Sequence, residues 1–328
     1  MVAGFKWVFD TGGSGRGAWA GGFGYRLANL LQPFGRYPDA LAGSSIGAFT
    51  SMDLATGDPE VLYKSWSNWH PDIPVKVTIG PQERGFYGLF PFRKTVKKSI
   101  HFTLDPATED KLFDPANRIR LFMTTSALRL PGGGGATERQ IWQMFLMVIT
   151  RERRRKYIPR GIGYAPRVYV RGVAGDAGPL ARPLTRGNVR DILMATCLLP
   201  LIMGHPVPLD GEHLVDGGFT RKVPLSFGGW DGGEALDGAA AARRTLVVAN
   251  NAEGRLWKTS MRLEAWNDEA WFREAAAEGR LLVAHPAAKL RISTVTRDPV
   301  RTMHYFNQGQ ESAEAFLREE STRRFFEL

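Results

Sequence analysis

The apolar positions of this chain fall into short runs and helical rows that alternate along its length. Phe5-Lys6-Trp7-Val8-Phe9 is a compact run of strand character that stops at Asp10-Thr11-Gly12-Gly13-Ser14-Gly15-Arg16-Gly17. Beyond that glycine turn, Trp19, Phe23, Leu27 and Leu30 recur at helical spacing and predict a helix from Ala18 to about Gln32. Asp39 to Gly43 is the next strand, and a helix follows from Ile46 to about Ala55. Residues 58 to 117 are less regular. There Gly85 to Phe92 is dense in aromatics broken by Gly and Pro, and the basic run Arg93-Lys94-Thr95-Val96-Lys97-Lys98 follows. This stretch reads either as a cap whose aromatics pack on the core or as an acyl-chain channel with a basic rim.

Arg118 to Arg129 alternates as a strand through Ile119, Leu121 and Met123. Pro131-Gly132-Gly133-Gly134-Gly135 is the best hinge in the chain and its only low-complexity stretch. The apolar Ile141 to Ile149 and the basic Arg151 to Lys156 fit an interfacial segment meeting lipid phosphates. A buried helix with a solvated basic end fits them equally. Thr185 to Leu199 predicts a helix with Val189, Ile192, Leu193 and Thr196 on one face, closed by Pro200. Pro206 to Gly218 reads as a short hairpin that delivers Asp216 at a strand end. Arg243 to Ala249 is a buried strand, and helical rows around 261–279 and 309–320 complete an α/β alternation.

Charge adds one feature to this picture. The 43 Lys and Arg outnumber 33 Asp and Glu, for a net charge of +10. Such a balance suits an anionic partner, nucleic acid or an anionic lipid surface, although a solvated surface explains it as well. The one cysteine, Cys197, allows no intramolecular disulfide and fits a reducing compartment. No basic stretch followed by a long apolar run opens the chain, and no segment approaches the ~20 apolar residues of a membrane span. The expectation is a cytoplasmic protein, peripheral at a membrane.

Candidate chemistry starts at Gly43-Ser44-Ser45-Ile46-Gly47. Its G-x-S-x-G spacing is that of a nucleophile elbow, a serine on a tight strand-to-helix turn with glycines where the two elements approach. The earlier turn, strand then glycines then helix, aims backbone N–H groups at an anion. A P-loop would need Gly-Lys-Ser/Thr where this chain has Arg16-Gly17-Ala18. A dinucleotide fingerprint is partly met by Gly13-x-Gly15-x-x-Ala18, with Asp39 near the distance of a ribose ligand. An oxyanion hole needs only the N–H groups. Both turns follow strand C-terminal ends, which share one edge of an α/β sheet, so loop and serine can face across a crevice. A dinucleotide domain has no use for an exposed serine on its second strand, which tilts the loop toward acyl chemistry.

Gly12-Gly13-Ser14-Gly15-Arg16-Gly17, then Gly43-Ser44-Ser45-Ile46-Gly47, then Asp216-Gly217-Gly218 together resemble the patatin-like phospholipase family. The helix ending in Leu-Leu-Pro, the Pro-rich link and Val-Asp-Gly-Gly within 187–224 add to the likeness, as does Gly88-Leu89-Phe90. The resemblance covers roughly residues 4–250. It implies a three-layer α/β/α fold with a mostly parallel central sheet, one domain over 1–328 in which 251–328 are C-terminal helices that complete or cap it. Ser45 would be the nucleophile and Asp216 its general base. Gly12, Gly13, Ser14 and Gly15 would form the oxyanion loop, with Arg16 holding that loop or its charge. The family's third glycine is Ser14 here, which keeps the N–H but narrows the backbone.

Such a dyad uses no histidine, no metal and no cofactor. The six histidines leave a histidine partner open in the sequence, and His213, three residues ahead of Asp216, is the candidate, read as a strand residue before a catalyst. The implied activity is a phospholipase A or lysophospholipase-type esterase working through an acyl-serine. An acyltransferase with the same dyad and a non-catalytic basic membrane-binding protein are the alternatives. The implied partners are a lipid ester and the surface of an anionic membrane, not nucleic acid.

Overall fold

The computed structural model describes residues 4–68, 81–82, 86–87, 92–129, 140, 143, 163–172, 181–199, 205–225, 244–260, 264–292 and 298–328. The glycine hinge at 131–135, the basic run at 151–156, Gly88-Leu89-Phe90 and Pro200 lie outside them, as does all of 141–149 but Gln143.

The chain builds a mostly parallel sheet flanked by helices on both faces. Its strands are β1 (Phe5–Phe9), β2 (Ala40–Ser44), β5 (Arg120–Arg129), β6 (Gly163–Arg171), β7 (Ala181–Pro183), β8 (Val207–Leu209), β9 (Glu212–Asp216), β10 (Arg244–Val248) and β11 (Leu281–Ala284). A separate antiparallel ribbon joins β3 (Pro81–Gln82) to β4 (Phe86–Tyr87). The main order is β11-β10-β1-β2-β5-β6-β7, with β9 on β5 and β8 on β9. From β11 to β5 the pairs are parallel, whereas β6 and β9 run antiparallel to β5. All five residues of β1 are buried, as an inner strand covered on both faces requires.

Alternation along β1 sends Phe5, Trp7 and Phe9 to one face and Lys6 and Val8 to the other. The first face packs on α1 (Gly13–Leu31) through Trp19, Phe23 and Leu27, and on α2 (Ile46–Leu54) through Phe49 and Met52. Phe306 of α8 (Pro299–Arg318) and Phe326 of α9 (Glu320–Phe326) close that core. On the second face Val8, Phe122 and Val247 meet Trp266 and the Phe272 and Ala275 of α7 (Ala270–Ala277).

The described residues between 58 and 117, a stretch irregular by apolar spacing, hold three helices: α3 (Pro59–Ser67), α4 (Phe92–Thr103) and α5 (Pro106–Leu112). Two of them open on Asp-Pro. Asp58 accepts from Glu60 N at 3.0 Å and Asp105 from Thr108 N at 2.8 Å, while the prolines occupy the first helical position, where no N–H is needed. Asp298-Pro299 starts α8 the same way, well ahead of the row expected from residue 309. The predicted helix at 185–199 is α6 (Val189–Thr196). Past residue 250 the chain adds β11 as well as helices, so the tail extends the sheet.

Two boundaries matter for the site. The first helix begins at Gly13, not Ala18, because Gly13 takes a φ of 63° and turns the chain straight from β1 into α1. Gly13 to Arg16 are therefore the first helical turn and not a loop. The β8–β9 hairpin turns through Asp210 (φ 52°) and Gly211 (φ 74°), two left-handed residues as a two-residue loop demands.

Candidate active site

The pairing of β5 brings the two distant motifs together. β2 runs parallel to β5 and ends with Ser44 opposite Thr124. β9 runs antiparallel along the same edge and ends with Asp216 opposite Thr125. Two strand C-termini thus meet head-on at neighbouring rungs, and the residues at the junction are Ser45 and Asp216. Asp216 N also donates to Leu198 O at 2.9 Å, which ties the end of β9 to the exit of α6.

Ser45 caps α2 with φ 55° and ψ −131°, a left-handed conformation that strains an L-residue and throws its side chain clear of strand and helix. The glycines permit the turn. A Cβ on Gly43 would clash with the Gly47 carbonyl, and one on Gly47 would lie 2.5 Å from Phe9 O. Ser45 N donates to Thr196 Oγ1 at 2.9 Å, and that hydroxyl donates on to Thr124 O at 2.7 Å. The Ser45 N–H is therefore occupied, and an oxyanion must find its donors elsewhere.

Asp216 is buried, and the Ser45 side chain lies near enough to favour its ionised form. Its Oδ1 accepts from Gly218 N at 2.7 Å. Burial pushes this carboxyl up to about 7, against the opposing pull of the Gly218 hydrogen bond and the nearby Ser45 side chain. A carboxylate of that proton affinity can take a proton from a serine hydroxyl near neutral pH, which a solvated aspartate does poorly. The Cys197 thiol, half-buried, lies beside the Ser45 side chain, and burial followed by the Asp216 charge holds it protonated well above the usual thiol range. His213 lies three residues from Asp216 on β9 and so projects from the opposite face of the strand.

The first turn of α1 offers open backbone donors beside the junction. Gly12 caps the helix without a side-chain hydrogen bond, and no acidic residue stands in the first turn. The N–H groups of Gly13, Ser14 and Gly15 have no partner within the helix and carry the positive end of its dipole, whereas the Arg16 N–H opens the helical ladder on the Gly12 carbonyl. Contacts place this turn beside the junction: a Cβ on Gly17 would lie 2.6 Å from Ile46, and one on Gly218 would lie 3.5 Å from the Thr11 methyl. Arg16 is half-buried there. Asp39 stands at the start of β2, opposite Arg120 by backbone pairing and at the far sheet edge, so it cannot serve a ligand at Gly12–Gly15.

Residues not singled out from the sequence hold the turn in place. Asn250, just past β10, donates through Nδ2 to Asp10 O and Thr11 O, each at 3.0 Å. Asp10 is buried, with Lys222 Nζ 3.6 Å from its carboxylate, and burial raises its proton affinity while Lys222 opposes that rise. Thr196 had an apolar-face position only, and nothing local to Asn250 marks it. Their partners lie 151 and 240 residues away in the chain.

A strained serine, a buried carboxyl and an open helix N-terminus thus stand together on the C-terminal edge of the mostly parallel sheet of an α/β protein. The family model of patatin-like phospholipase matches residues 8–227, and the chain belongs to that family. No curated protein matches it. Among solved structures it is similar to VipD from Legionella pneumophila, at 10% identity and a TM-score of 0.40, over 95% of this chain and 66% of that one.

Proposed function

We propose that this protein is a metal-independent lipid acyl hydrolase, a phospholipase A or lysophospholipase-type esterase using a Ser45–Asp216 dyad. Family membership supports lipid ester chemistry. The observation that carries the dyad is the Ser45 side chain beside a buried Asp216, whose pKa burial pushes up to about 7. In the first step Asp216 takes the Ser45 proton as Oγ attacks the ester carbonyl. The tetrahedral oxyanion rests on N–H groups of the α1 first turn, each good donor contributing about 10²–10³ in rate. As the intermediate collapses, the C–O bond breaks and Asp216 returns the proton to the departing alcohol or lysolipid. Water then attacks the acyl-serine, giving its proton to Asp216, and release of the fatty acid restores the Ser45 hydroxyl.

Labelling with a fluorophosphonate tests the reading. The wild-type protein is expected to take up the probe at Ser45 and to hydrolyse short-chain esters, and Ser45→Ala to do neither. Active wild-type protein that stays unlabelled at Ser45 would sink the dyad. Product analysis with a competing alcohol separates hydrolysis from acyl transfer.

A further inference from the structure

The helix α4 presents a one-sided cationic face, and its position bears on how a lipid ester reaches Ser45. Its sequence, FRKTVKKSIHFT, has five basic residues and no acidic one. At 100° per residue, Lys94, Lys97, Lys98 and His101 occupy one continuous arc, and all four are exposed. Ile100 and Thr103 are buried on the opposite arc, with Val96 half-buried beside them. The helix is thus docked by its apolar side and keeps its cations outward.

An aromatic ring borders the same face: Phe102, next to Lys98 on the helical wheel, is 38% exposed. Lys64 lies over the Phe102 ring at 5.6 Å. Exposed cations edged by an exposed ring match a bilayer boundary, where ammonium groups meet phosphates and aromatic side chains settle at headgroup depth.

The N-terminal end of α4 is tethered near the catalytic junction. Arg93 Nη1 donates to His205 O at 3.1 Å. His205 lies two residues before β8, whose antiparallel register on β9 sets that end beside Asp216. A surface bound along α4 therefore lies next to the edge of the sheet that carries Ser45.

We infer that the exposed face of α4, with Lys94, Lys97, Lys98 and His101, docks this protein on an anionic bilayer and brings the lipid ester to the adjoining Ser45. The inference rests on the hydrolase reading for its purpose but not for its binding measurement. Lys94→Glu/Lys97→Glu is compared with wild type for partitioning onto phosphatidylcholine vesicles with and without about one third phosphatidylglycerol. Wild type is expected to prefer the anionic vesicles, and more weakly as salt rises. The double reversal should lower that partitioning by roughly 10- to 100-fold. Short-chain soluble ester hydrolysis should stay within about twofold, because neither lysine touches the junction. Lys94→Gln/Lys97→Gln, with its thermal midpoint checked, should give an intermediate loss.

Equal binding of wild type to neutral and anionic vesicles, or wild-type binding by the double reversal, overturns the docking face and leaves the hydrolase reading standing. The expected vesicle pattern in a protein that never labels at Ser45 upholds the face and overturns the hydrolase. Loss of binding to a short DNA duplex with vesicle binding unchanged overturns the bilayer in favour of nucleic acid.

Discussion

The strain at Ser45 is offset by bonds that reach distant parts of the chain. Its N–H is held by Thr196, and its side chain lies beside Asp216 and Cys197. The titration of Asp216 gives this arrangement two pH signatures. With Asp216 as the proposed base, the reaction uses the ionised carboxyl, so kcat/KM should rise with pH to a plateau above about 7, the value to which burial raises this group. Stability runs the other way. The folded pKa stands above the unfolded value of ~3.9, so the folded state binds the extra proton between them, and stability falls as pH rises through the upper value. Asp216→Asn should therefore lose about 10²–10⁴ in kcat. The same variant should flatten the decline in thermal midpoint between acid and mildly alkaline pH. A full retained rate in that variant would point to a different base.

At the scale of elements, the site depends on two clamps that touch no substrate. Thr196→Val is nearly isosteric, yet it leaves the Ser45 N–H and Thr124 carbonyl unpaired and should cost about 1–3 kcal/mol of stability. The wider consequence is that the elbow loses its anchor to α6, read as a fall in kcat. Asn250→Asp keeps the shape but replaces the Nδ2 donor to Asp10 and Thr11 with an acceptor facing two carbonyls. If the clamp aims the first turn of α1, kcat should drop by about 10-fold or more while KM holds within about twofold. A parallel change in both constants would mark Asn250 as a folding residue only. Much at this scale was legible beforehand, since β1, β2, α2, β5, the β8–β9 hairpin and β10 follow from apolar period and turn residues. The Asp-Pro starts of α3, α5 and α8 were equally local signals. They were obscured because apolar spacing there is short and irregular, while the capping information sits in two residues.

Across the whole molecule, the segments beyond the family match complete the core. β10 pairs with β1 along its full length, and α8 crosses α1 so closely that Gly309 meets the backbone of Trp19. A side chain at that crossing has no room. Gly309→Ala should cost about 1–3 kcal/mol or more by overpacking, measured as a lowered denaturation midpoint. An unchanged midpoint would show that the two helices can separate without loss. The same packing explains why Phe306, Ala313, Phe325 and Phe326 belong to the main core although they lie near the C-terminal end of the sequence.

By itself the sequence determined the elements that local physics specifies: the elbow, the glycine turn, the Asp-Gly-Gly end and the alternation of strands and helices. Each rests on residues within a few positions of one another, where φ, close approach or period decides the outcome. Only the tertiary structure decided that β9 enters the sheet against β5, head-on to β2, because that register depends on packing between segments far apart in the chain. From that register come the approach of Ser45 to Asp216 and the burial that lifts Asp216, while the Thr196 and Asn250 clamps join segments just as far apart. The glycine turn likewise changed its nature. Its N–H groups are the open end of α1, since a left-handed Gly13 starts the helix directly at the sheet edge.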